Sequence, residues 1–280
     1  MTGWTAADLP DLTGKTILIT GAGRGLGLVT ARELGRAGGR VVLAVRDVAK
    51  ARAAISGMRG EFGVRELDVA DLAAVREFAR SWTGDLDILI NNAGVMDIPA
   101  ARTAQGLDVQ TATNYFGPFV LTNELVPRLT DRVVTVTSQL HRQGRLDLTD
   151  LDWRTRPYRP MGAYQASKLA VVLFSLDLQR RLGGGVRSIL AHPGIARTAL
   201  AAHSRSNPIN RLRFLTNDAE QGALPILYAA TQDLPGNAYV GPGGFGGLKG
   251  SPAVGSPSRA GLDPAAAAEL RRATAAMVGR

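Results

Sequence analysis

A tyrosine and a lysine stand four residues apart at Tyr164 and Lys168. On a helix, side chains at this spacing are neighbours on one face. A phenol with a pKa near 10 is a poor base at neutral pH, but a cation beside it favours the phenolate and lowers that pKa. Bringing the pKa down to about 7 or 8 needs roughly 3–4 kcal/mol. A phenol tuned in this way can give a proton to a carbonyl oxygen or take one from an alcohol.

Ser138 ends the apolar run VTVTS and adds a hydroxyl to this pair. In open α/β sheets ligands bind outside the carboxyl ends of the strands, so a hydroxyl at this point can hydrogen bond a substrate oxygen. Taken alone, a tyrosine and a lysine at this spacing are common on helices, and the alternative is a solvated surface pair. The glycine turn near the N-terminus makes that alternative the poorer one.

The segment TGAGRGLG lies between the first predicted strand and the first predicted helix, and three of its glycines have separate expected roles. Gly21 permits the tight turn, Gly25 lets the backbone approach a pyrophosphate, and Gly27 permits close packing of helix and strand. The helix N-terminus adds free N–H groups and a partial positive charge for phosphates. The pattern therefore predicts a dinucleotide site rather than an ordinary glycine-rich turn, and a bound nicotinamide would exchange hydride with a substrate beside Tyr164.

The residue after the second predicted strand indicates which dinucleotide binds. A cofactor with a free ribose 2′-hydroxyl favours an acidic residue about 20 residues after the glycine turn. Arg46 stands there, and together with Arg24 it can clamp a 2′-phosphate. Asp47 argues for the opposite preference unless it caps the following helix. The sequence predicts NADP(H) over NAD(H).

Short β-branched runs alternate with helical patterns along most of the chain. The strands are nearly continuous apolar runs, which is typical of a parallel sheet covered by helices on both faces. Repeated βα units predict right-handed crossovers and a doubly wound parallel sheet, an α/β Rossmann fold. The predicted strands are 15–20, 40–45, 62–67, 86–90, 132–137 and 186–191, and the predicted helices are 26–38, 47–56, 71–81, about 114–129 and 163–182, with Asp71 as an N-cap.

Two long stretches interrupt this rhythm, a polar one at 139–162 and an irregular basic one at 199–216. Loops of this length are usually functional, so we expect the first over the active site and the second as a substrate lid that excludes water. Residues 241–261 form a Gly/Pro/Ser-rich tail, and Asp263 followed by Pro264 opens a terminal helix. No linker divides the chain, so residues 1–280 are predicted to form one catalytic domain with a core over about 13–240.

Composition excludes several other classes of protein. The chain has 280 residues, 45% of them hydrophobic, and no cysteine, which excludes disulfides, thiolate metal sites and a cysteine nucleophile. Three histidines without a nearby acidic cluster argue against a metal site. The net charge is +9, but the arginines are spread along the chain, which favours solvated surface over nucleic-acid binding. No apolar run reaches the ~20 residues of a membrane span, and the first ten residues lack a signal-peptide pattern, so we expect a cytoplasmic protein.

These motifs together resemble the short-chain dehydrogenase/reductase family over about residues 13–240. The matching segments are TGAGRGLG, Asp68-Val69, Asn91-Asn92-Ala93-Gly94, Asn114, Ser138, Tyr164 with Lys168, and Pro193-Gly194. More narrowly, VVLAVRD, the 26-residue spacing from Ser138 to Tyr164 and HPGIARTAL resemble the branch of retinol dehydrogenases and WW-domain oxidoreductases, which generally prefers NADP(H).

The resemblance implies a role for each matching residue. Tyr164 would be the general acid/base, Lys168 would lower its pKa and bind the nicotinamide ribose, and Ser138 would orient the substrate oxygen. Asn114 would hold a water in a proton relay. The implied cofactor contacts are Gly21, Arg24, Gly25, Leu26, Gly27, Arg46, Asp68, Val69, Asn91, Ala93, Gly94, Tyr164, Lys168, Pro193, Gly194 and Thr198.

The resemblance also implies an activity and an assembly. The activity is hydride transfer between NADP(H) and a ketone or aldehyde and its alcohol, in the reductive direction because cells keep NADPH reduced. The assembly is a homodimer or homotetramer through helices near 114–129 and 163–182, although monomers also occur. The apolar run 169–174 is interpreted as a buried helix segment and is compatible with a helix-packing interface. Two alternatives stay open: non-redox epimerisation or rearrangement with retained cofactor, and a regulatory protein that senses the cofactor.

Several other residues near the predicted site have two interpretations. His141 is close to Ser138 and can reach the pocket, but a loop role is favoured since Tyr164 already serves as acid/base. His192 is interpreted as a buried histidine at a strand end. The aromatic and thioether side chains of the long loop either line an apolar substrate wall or anchor the loop, and these are Trp153, Tyr158 and Met161.

Overall fold

The computed structural model describes residues 3–194 and 217–279. In these ranges eight strands form one sheet in the order β3-β2-β1-β4-β5-β6-β7-β8, and the pairs are parallel except for the antiparallel pair β7–β8. The strands are β1 (Thr16–Thr20), β2 (Arg40–Val45), β3 (Glu61–Glu66), β4 (Leu86–Asn91), β5 (Leu129–Val136), β6 (Arg187–Ala191), β7 (Tyr239–Pro242) and β8 (Pro252–Gly255). The prediction of a doubly wound, mostly parallel α/β sheet is confirmed.

Helices cover both faces of this sheet. They are α1 (Gly25–Arg36), α2 (Val48–Ile55), α3 (Leu72–Arg80), the single turn α4 (Val109–Thr111), α5 (Gly117–Leu125), α6 (Pro160–Leu182), α7 (Ala219–Thr231) and α8 (Pro264–Val278). Successive residues of β1 point to opposite faces, so Ile17 and Ile19 join one buried cluster with α1 and α7 while Leu18 joins the other with α3, α5 and α6. This two-sided burial explains why the strands are apolar throughout.

The predicted helix over about 114–129 is divided in the structure. α4 is followed by a π-helical segment, Ala112–Phe116, and then by α5 and a 3-10 turn, Val126–Arg128. Pro127 removes a backbone donor and ends the helical pattern, so β5 begins at Leu129, three residues before its predicted start. The strands β7 and β8 were not predicted, because short strands rich in glycine and proline lack the apolar pattern of the central ones. The helix α7 was not predicted either, and Pro225 lies inside it.

The C-terminal tail belongs to the folded core. Asp263 caps α8 as predicted, accepting the backbone N–H groups of Ala265 and Ala266. α8 packs against α6, and Thr274 on it hydrogen bonds the buried Tyr115 hydroxyl at 2.8 Å. The core therefore extends beyond residue 240 to the terminal helix.

The apolar run 169–174 is buried inside this chain, with every residue at most 5% exposed. The interpretation of the run as a buried helix segment is confirmed, and the helix packing it takes part in lies within this chain, because α6 is covered on one side by the sheet and on another by α8. The homodimer or homotetramer remains a prediction. No helix within the described ranges is long and apolar enough to cross a membrane.

Candidate active site

The predicted site residues follow the carboxyl ends of adjacent parallel strands. Gly21 comes after β1, Ala93 after β4, Ser138 after β5 and Pro193 after β6. These strands are neighbours in the sheet, and their registers pair Asn91 with Thr135 and Val136 with Ala191. The order of connection reverses between β1 and β4, which is where open α/β sheets form their ligand crevice.

α6 carries Tyr164 and Lys168 into the protein beside the end of β5, and each residue is only 4% exposed. The Lys168 ammonium donates a hydrogen bond to the Val136 carbonyl at 2.9 Å and lies 5.8 Å from the centre of the Tyr164 ring. The Ser138 side chain lies near the Tyr164 hydroxyl and lowers its pKa. The structure thus brings these three predicted residues together.

Burial decides the pKa values in this cluster. It raises the pKa of Tyr164 above its ordinary value, and the hydrogen bond from Ser138 lowers it only in part. The same burial lowers the pKa of Lys168 to about 8. The expectation that Lys168 holds the pKa of Tyr164 below 10 is therefore not met in the chain alone, because the loss of solvent penalises the phenolate and the ammonium alike.

Asn114 lies in the π-helical segment, a geometry that is frequent at functional sites. Its side chain pairs with the backbone of Val95, accepting that N–H at 2.8 Å and donating to that carbonyl at 2.9 Å. It also donates to the Ser167 hydroxyl at 2.9 Å. Asn114 thereby ties the segment after β4 to α6, and its predicted water-holding role stays a prediction. A Cβ added to Gly94 would lie 3.7 Å from the Lys168 nitrogen, so that glycine faces the same site.

Two glycines of the first turn have spatial reasons to lack a side chain. Gly21 has φ +66°, and a Cβ there would lie 2.9 Å from the Ala93 Cα. A Cβ on Gly27 would lie 2.5 Å from the Asn92 amide nitrogen and 2.8 Å from the Gly21 carbonyl oxygen. The turn therefore packs directly on the segment that follows β4.

Asn92 and Thr20 brace this contact, although neither is among the individually predicted cofactor contacts. The Asn92 amide donates to the Thr20 carbonyl at 2.9 Å, and the Thr20 hydroxyl accepts the N–H groups of Asn92 and Ala93 at 3.1 Å each. Thr20 is the first residue of the glycine motif and Asn92 lies within Asn91–Gly94, so motif position was the available signal.

The N-terminus of α1 fits a dinucleotide phosphate. Its N-cap residue, Arg24, makes no side-chain capping hydrogen bond, and the side chains of Arg24 and Arg46 are exposed. The first N–H groups of α1 are thus open to an anion. Asp47 caps α2 by accepting the Lys50 N–H at 2.9 Å. Its carboxylate is therefore used as a helix cap, so Asp47 no longer favours NAD(H) over NADP(H).

The other predicted cofactor residues have mixed placements. Leu26 lies in the first turn of α1, and Asp68 accepts the Ala70 N–H at 2.9 Å directly before the buried Val69. Asn91 is buried and donates to the Thr122 hydroxyl on α5 at 2.9 Å, so its amide nitrogen points at a helix.

The segment after β6 is described as far as residue 194. The Pro193 carbonyl accepts the Asn217 amide at 3.1 Å, and Gly194 has φ +71°. Thr198 and the predicted lid at 199–216 lie outside the described residues.

The long loop after β5 is anchored by its aromatic residues. Trp153 is buried against Ala163 and Ala166 on α6, and the Arg156 guanidinium stacks 3.7 Å from the centre of its ring. The Tyr158 hydroxyl accepts the Gln110 amide at 3.1 Å. Trp153 therefore anchors the loop and is not free to line a substrate wall.

Comparison with known proteins agrees with this geometry. Residues 15–209 match the family described as short chain dehydrogenase. Human retinol dehydrogenase 13 is 43% identical over 217 residues, which cover 73% of this chain and 66% of that protein. Mouse polyprenol dehydrogenase is 40% identical over 245 residues, covering 79% of this chain and 73% of that protein. The chain belongs to the short-chain dehydrogenase family.

The similarity to solved structures extends over nearly the whole chain. The crystal structure of an uncharacterized protein from Mycobacterium paratuberculosis has 48% identity and a TM-score of 0.88, covering 99% of this chain and 98% of the other. By contrast, the match to human retinol dehydrogenase 13 spans just under two thirds of that protein's length, so its activity is not carried over to this chain directly.

Proposed function

We propose that this protein is an NADP(H)-dependent oxidoreductase that interconverts a ketone or aldehyde with its alcohol. The observation that carries the proposal is the cluster of Ser138 with the buried Tyr164 and Lys168 at the carboxyl end of β5, in a sheet whose β1–α1 turn fits a dinucleotide phosphate. When bound, the reduced dinucleotide supplies the hydride. The proton comes from the chain.

Tyr164 is the proposed proton donor in the reductive direction. Its raised pKa keeps the phenol protonated at neutral pH, which suits an acid rather than a base. The carbonyl carbon gains hydride while its oxygen takes the proton of the Tyr164 hydroxyl, so the product is a neutral alcohol. The Ser138 hydroxyl hydrogen bonds the carbonyl oxygen of the substrate. It also stabilises the Tyr164 phenolate that remains, because it lowers the pKa of that phenol.

Lys168 supplies positive charge beside the phenol and is held by the Val136 carbonyl. With a pKa of about 8, its ammonium is the main form at pH 7. The pair is closed off from water, so the ammonium acts on the phenolate at a lower dielectric than on a surface. The charge that Tyr164 gains on donating its proton is therefore countered locally.

The first test is a panel of ketones and aldehydes scored by loss of NADPH absorbance at 340 nm, with Tyr164→Phe as the control. The names of the relatives put retinal and a polyprenal, the oxidised forms of retinol and a polyprenol, in the first panel. Loss of about 10²–10⁴ in kcat for Tyr164→Phe is expected for removal of a general acid. Full activity in that variant refutes the assignment, and product formation with no net change in NADPH favours epimerisation or rearrangement instead.

The cofactor preference is tested at Arg46. Arg46→Ser is expected to weaken NADPH binding about ten- to hundredfold, since charge-assisted hydrogen bonds contribute roughly 1.5–3 kcal/mol, and to leave NADH binding nearly unchanged. Arg40→Ser is the matched control, because Arg40 stands at the opposite end of β2 and pairs with Glu61. An equal loss of affinity for NADPH and NADH in Arg46→Ser would show that this side chain does not bind the 2′-phosphate.

A further inference from the structure

His141 links two distant parts of the chain through its two ring nitrogens. Nδ1 lies 2.6 Å from the carbonyl oxygen of Ser138, and Nε2 lies 2.9 Å from the backbone nitrogen of Ser258, which donates to it. A carbonyl only accepts hydrogen bonds, so Nδ1 must carry the proton and Nε2 must be bare. The ring is 1% exposed and is therefore a neutral, single tautomer with both nitrogens engaged. It has no proton to exchange with substrate.

The groups around the ring hold it in place. The Tyr239 ring on β7 lies 5.7 Å from it and stacks on His192 at 5.9 Å. The neighbouring Arg142 is the charged group nearest in sequence, and burial lowers the pKa of His141 below its ordinary value, which favours the neutral ring. His192 is neutral for a similar reason, because burial lowers its pKa to about 4. The imidazole is thus a rigid strut between Ser138 and the C-terminal segment.

Ser138 is the residue whose orientation this strut controls. Its carbonyl accepts both the backbone N–H of His141, at 3.0 Å, and the imidazole N–H. The carbonyl group and the Cα of Ser138 lie in one rigid peptide plane, so holding the carbonyl restrains the Cα from which the side chain departs and limits where the hydroxyl can lie. That hydroxyl accepts the Leu140 N–H at 3.2 Å and is the one that lowers the pKa of the nearby Tyr164.

We infer that His141 is a positioning residue, which sets the Ser138 hydroxyl against Tyr164 by bracing the Ser138 carbonyl from the C-terminal segment. The inference rests on the proposed function for its effect on catalysis, but the bracing itself does not depend on it. It gives the tail a role at the active site, although Ser258 is 120 residues from Ser138 along the chain.

Two substitutions test the hydrogen bonds of the two ring nitrogens of His141 one at a time. His141→Asn places an amide donor near the position of Nδ1 and loses the bond to Ser258, whereas His141→Gln reaches toward the position of Nε2 and loses the donor to Ser138. His141→Gln is expected to lower kcat by about tenfold to hundredfold, as small misplacements of a reacting group do, with the dissociation constant for NADPH unchanged. His141→Asn is expected to lower kcat less than His141→Gln does, because it keeps the donor to Ser138 and loses only the anchor on Ser258.

Arg142→Ala is the matched control. Arg142 lies in the same turn and donates to the Ser256 carbonyl at 2.6 Å and to the Gln139 side chain at 2.9 Å. Its removal loosens the same C-terminal segment without touching Ser138, so kcat should stay near that of the wild type. A loss in Arg142→Ala equal to that in His141→Gln would assign the effect to the segment as a whole and overturn the inference.

A second readout needs no turnover. Because the Ser138 hydrogen bond lowers the pKa of Tyr164, its loss should raise that pKa, seen as a later alkaline change in the ¹³Cζ chemical shift of Tyr164. The change is expected in His141→Gln and not in His141→Asn. If the wild type reduces no carbonyl, the proposed function fails while this titration still decides the positioning role. An unmoved titration in His141→Gln, or equal losses of kcat in both His141 variants, refutes that role.

Discussion

Lys168 offers a direct test of how burial shapes this site. Its pKa falls from 10.5 to about 8 because the ammonium is removed from solvent. At 1.36 kcal/mol per pKa unit, holding the charged form inside the folded chain costs about 3 kcal/mol at pH 7. The hydrogen bond to the Val136 carbonyl offsets part of this cost. The charge therefore destabilises the protein in exchange for its role beside Tyr164.

Lys168→Met removes the buried charge and keeps an unbranched side chain of similar length. The variant also loses the hydrogen bond to Val136, a contribution of about 1–2 kcal/mol. The free energy of unfolding of the cofactor-free protein should therefore rise by about 1–2 kcal/mol at pH 7. Turnover of NADPH should be lost, since the cation beside Tyr164 is gone.

The stability advantage of Lys168→Met over the wild type should depend on pH. The unfolded chain keeps the Lys168 proton up to a pKa near 10.5, whereas the folded chain gives it up near 8. Between these values the unfolded state binds more protons, so wild-type stability gains as the pH rises. The advantage of Lys168→Met should accordingly shrink above pH 8 and vanish by about pH 10.

Urea unfolding of both proteins at pH 7 and near pH 10 measures these differences. Lys15→Met is the control, because the Lys15 side chain is 48% exposed and pairs with Asp87 at 2.9 Å, which raises its pKa. It should lower stability by at most about 1 kcal/mol. A Lys168→Met protein that is less stable than the wild type by the same amount at both pH values would refute the assignment of a buried, costly charge.

Three further substitutions test single contacts. Gly27→Ala brings a Cβ within 2.5 Å of Asn92 and should weaken NADPH binding in a fluorescence titration while lowering stability by about 1–3 kcal/mol. Asp71→Ala removes the N-cap of α3 and should lower the free energy of unfolding by about 1 kcal/mol without affecting turnover. Thr274→Val leaves the buried Tyr115 hydroxyl unpaired and should cost about 1–3 kcal/mol in urea unfolding, again with kcat retained. An unchanged unfolding midpoint in any of these variants would contradict the effect assigned to the contact that it adds or removes.

The parts of the site that depend on local sequence could be predicted. The strands β1 to β6 begin within three residues of their predicted starts, because parallel strands that are buried on both faces have nearly continuous apolar sequences. Asp71 and Asp263 cap their helices as expected, since a capping side chain bonds N–H groups only two or three residues away. The glycine turn was recognisable because its spacing is itself the geometry of a strand–turn–helix connection.

Contacts between distant segments could not be predicted in this way. The burial of the apolar run 169–174 could be predicted from its composition, but the packing of α8 against α6 could not, because no residue within that run indicates which element covers it. The bond between Ser258 and His141 joins residues 117 positions apart, and the brace of Asn92 on Thr20 spans 72. Such pairings depend on where the sheet places its strand ends, which is a property of the whole chain.

The sequence by itself determined the fold class, the glycine turn and the identity of the residues able to move a proton, because these follow from periodicity and side-chain chemistry. Only the tertiary structure decided how Tyr164 and Lys168 are charged, since burial, not their spacing along α6, controls both pKa values. It also decided that His141 is a neutral brace, because a histidine's tautomer is set by the two groups that the fold brings to its ring.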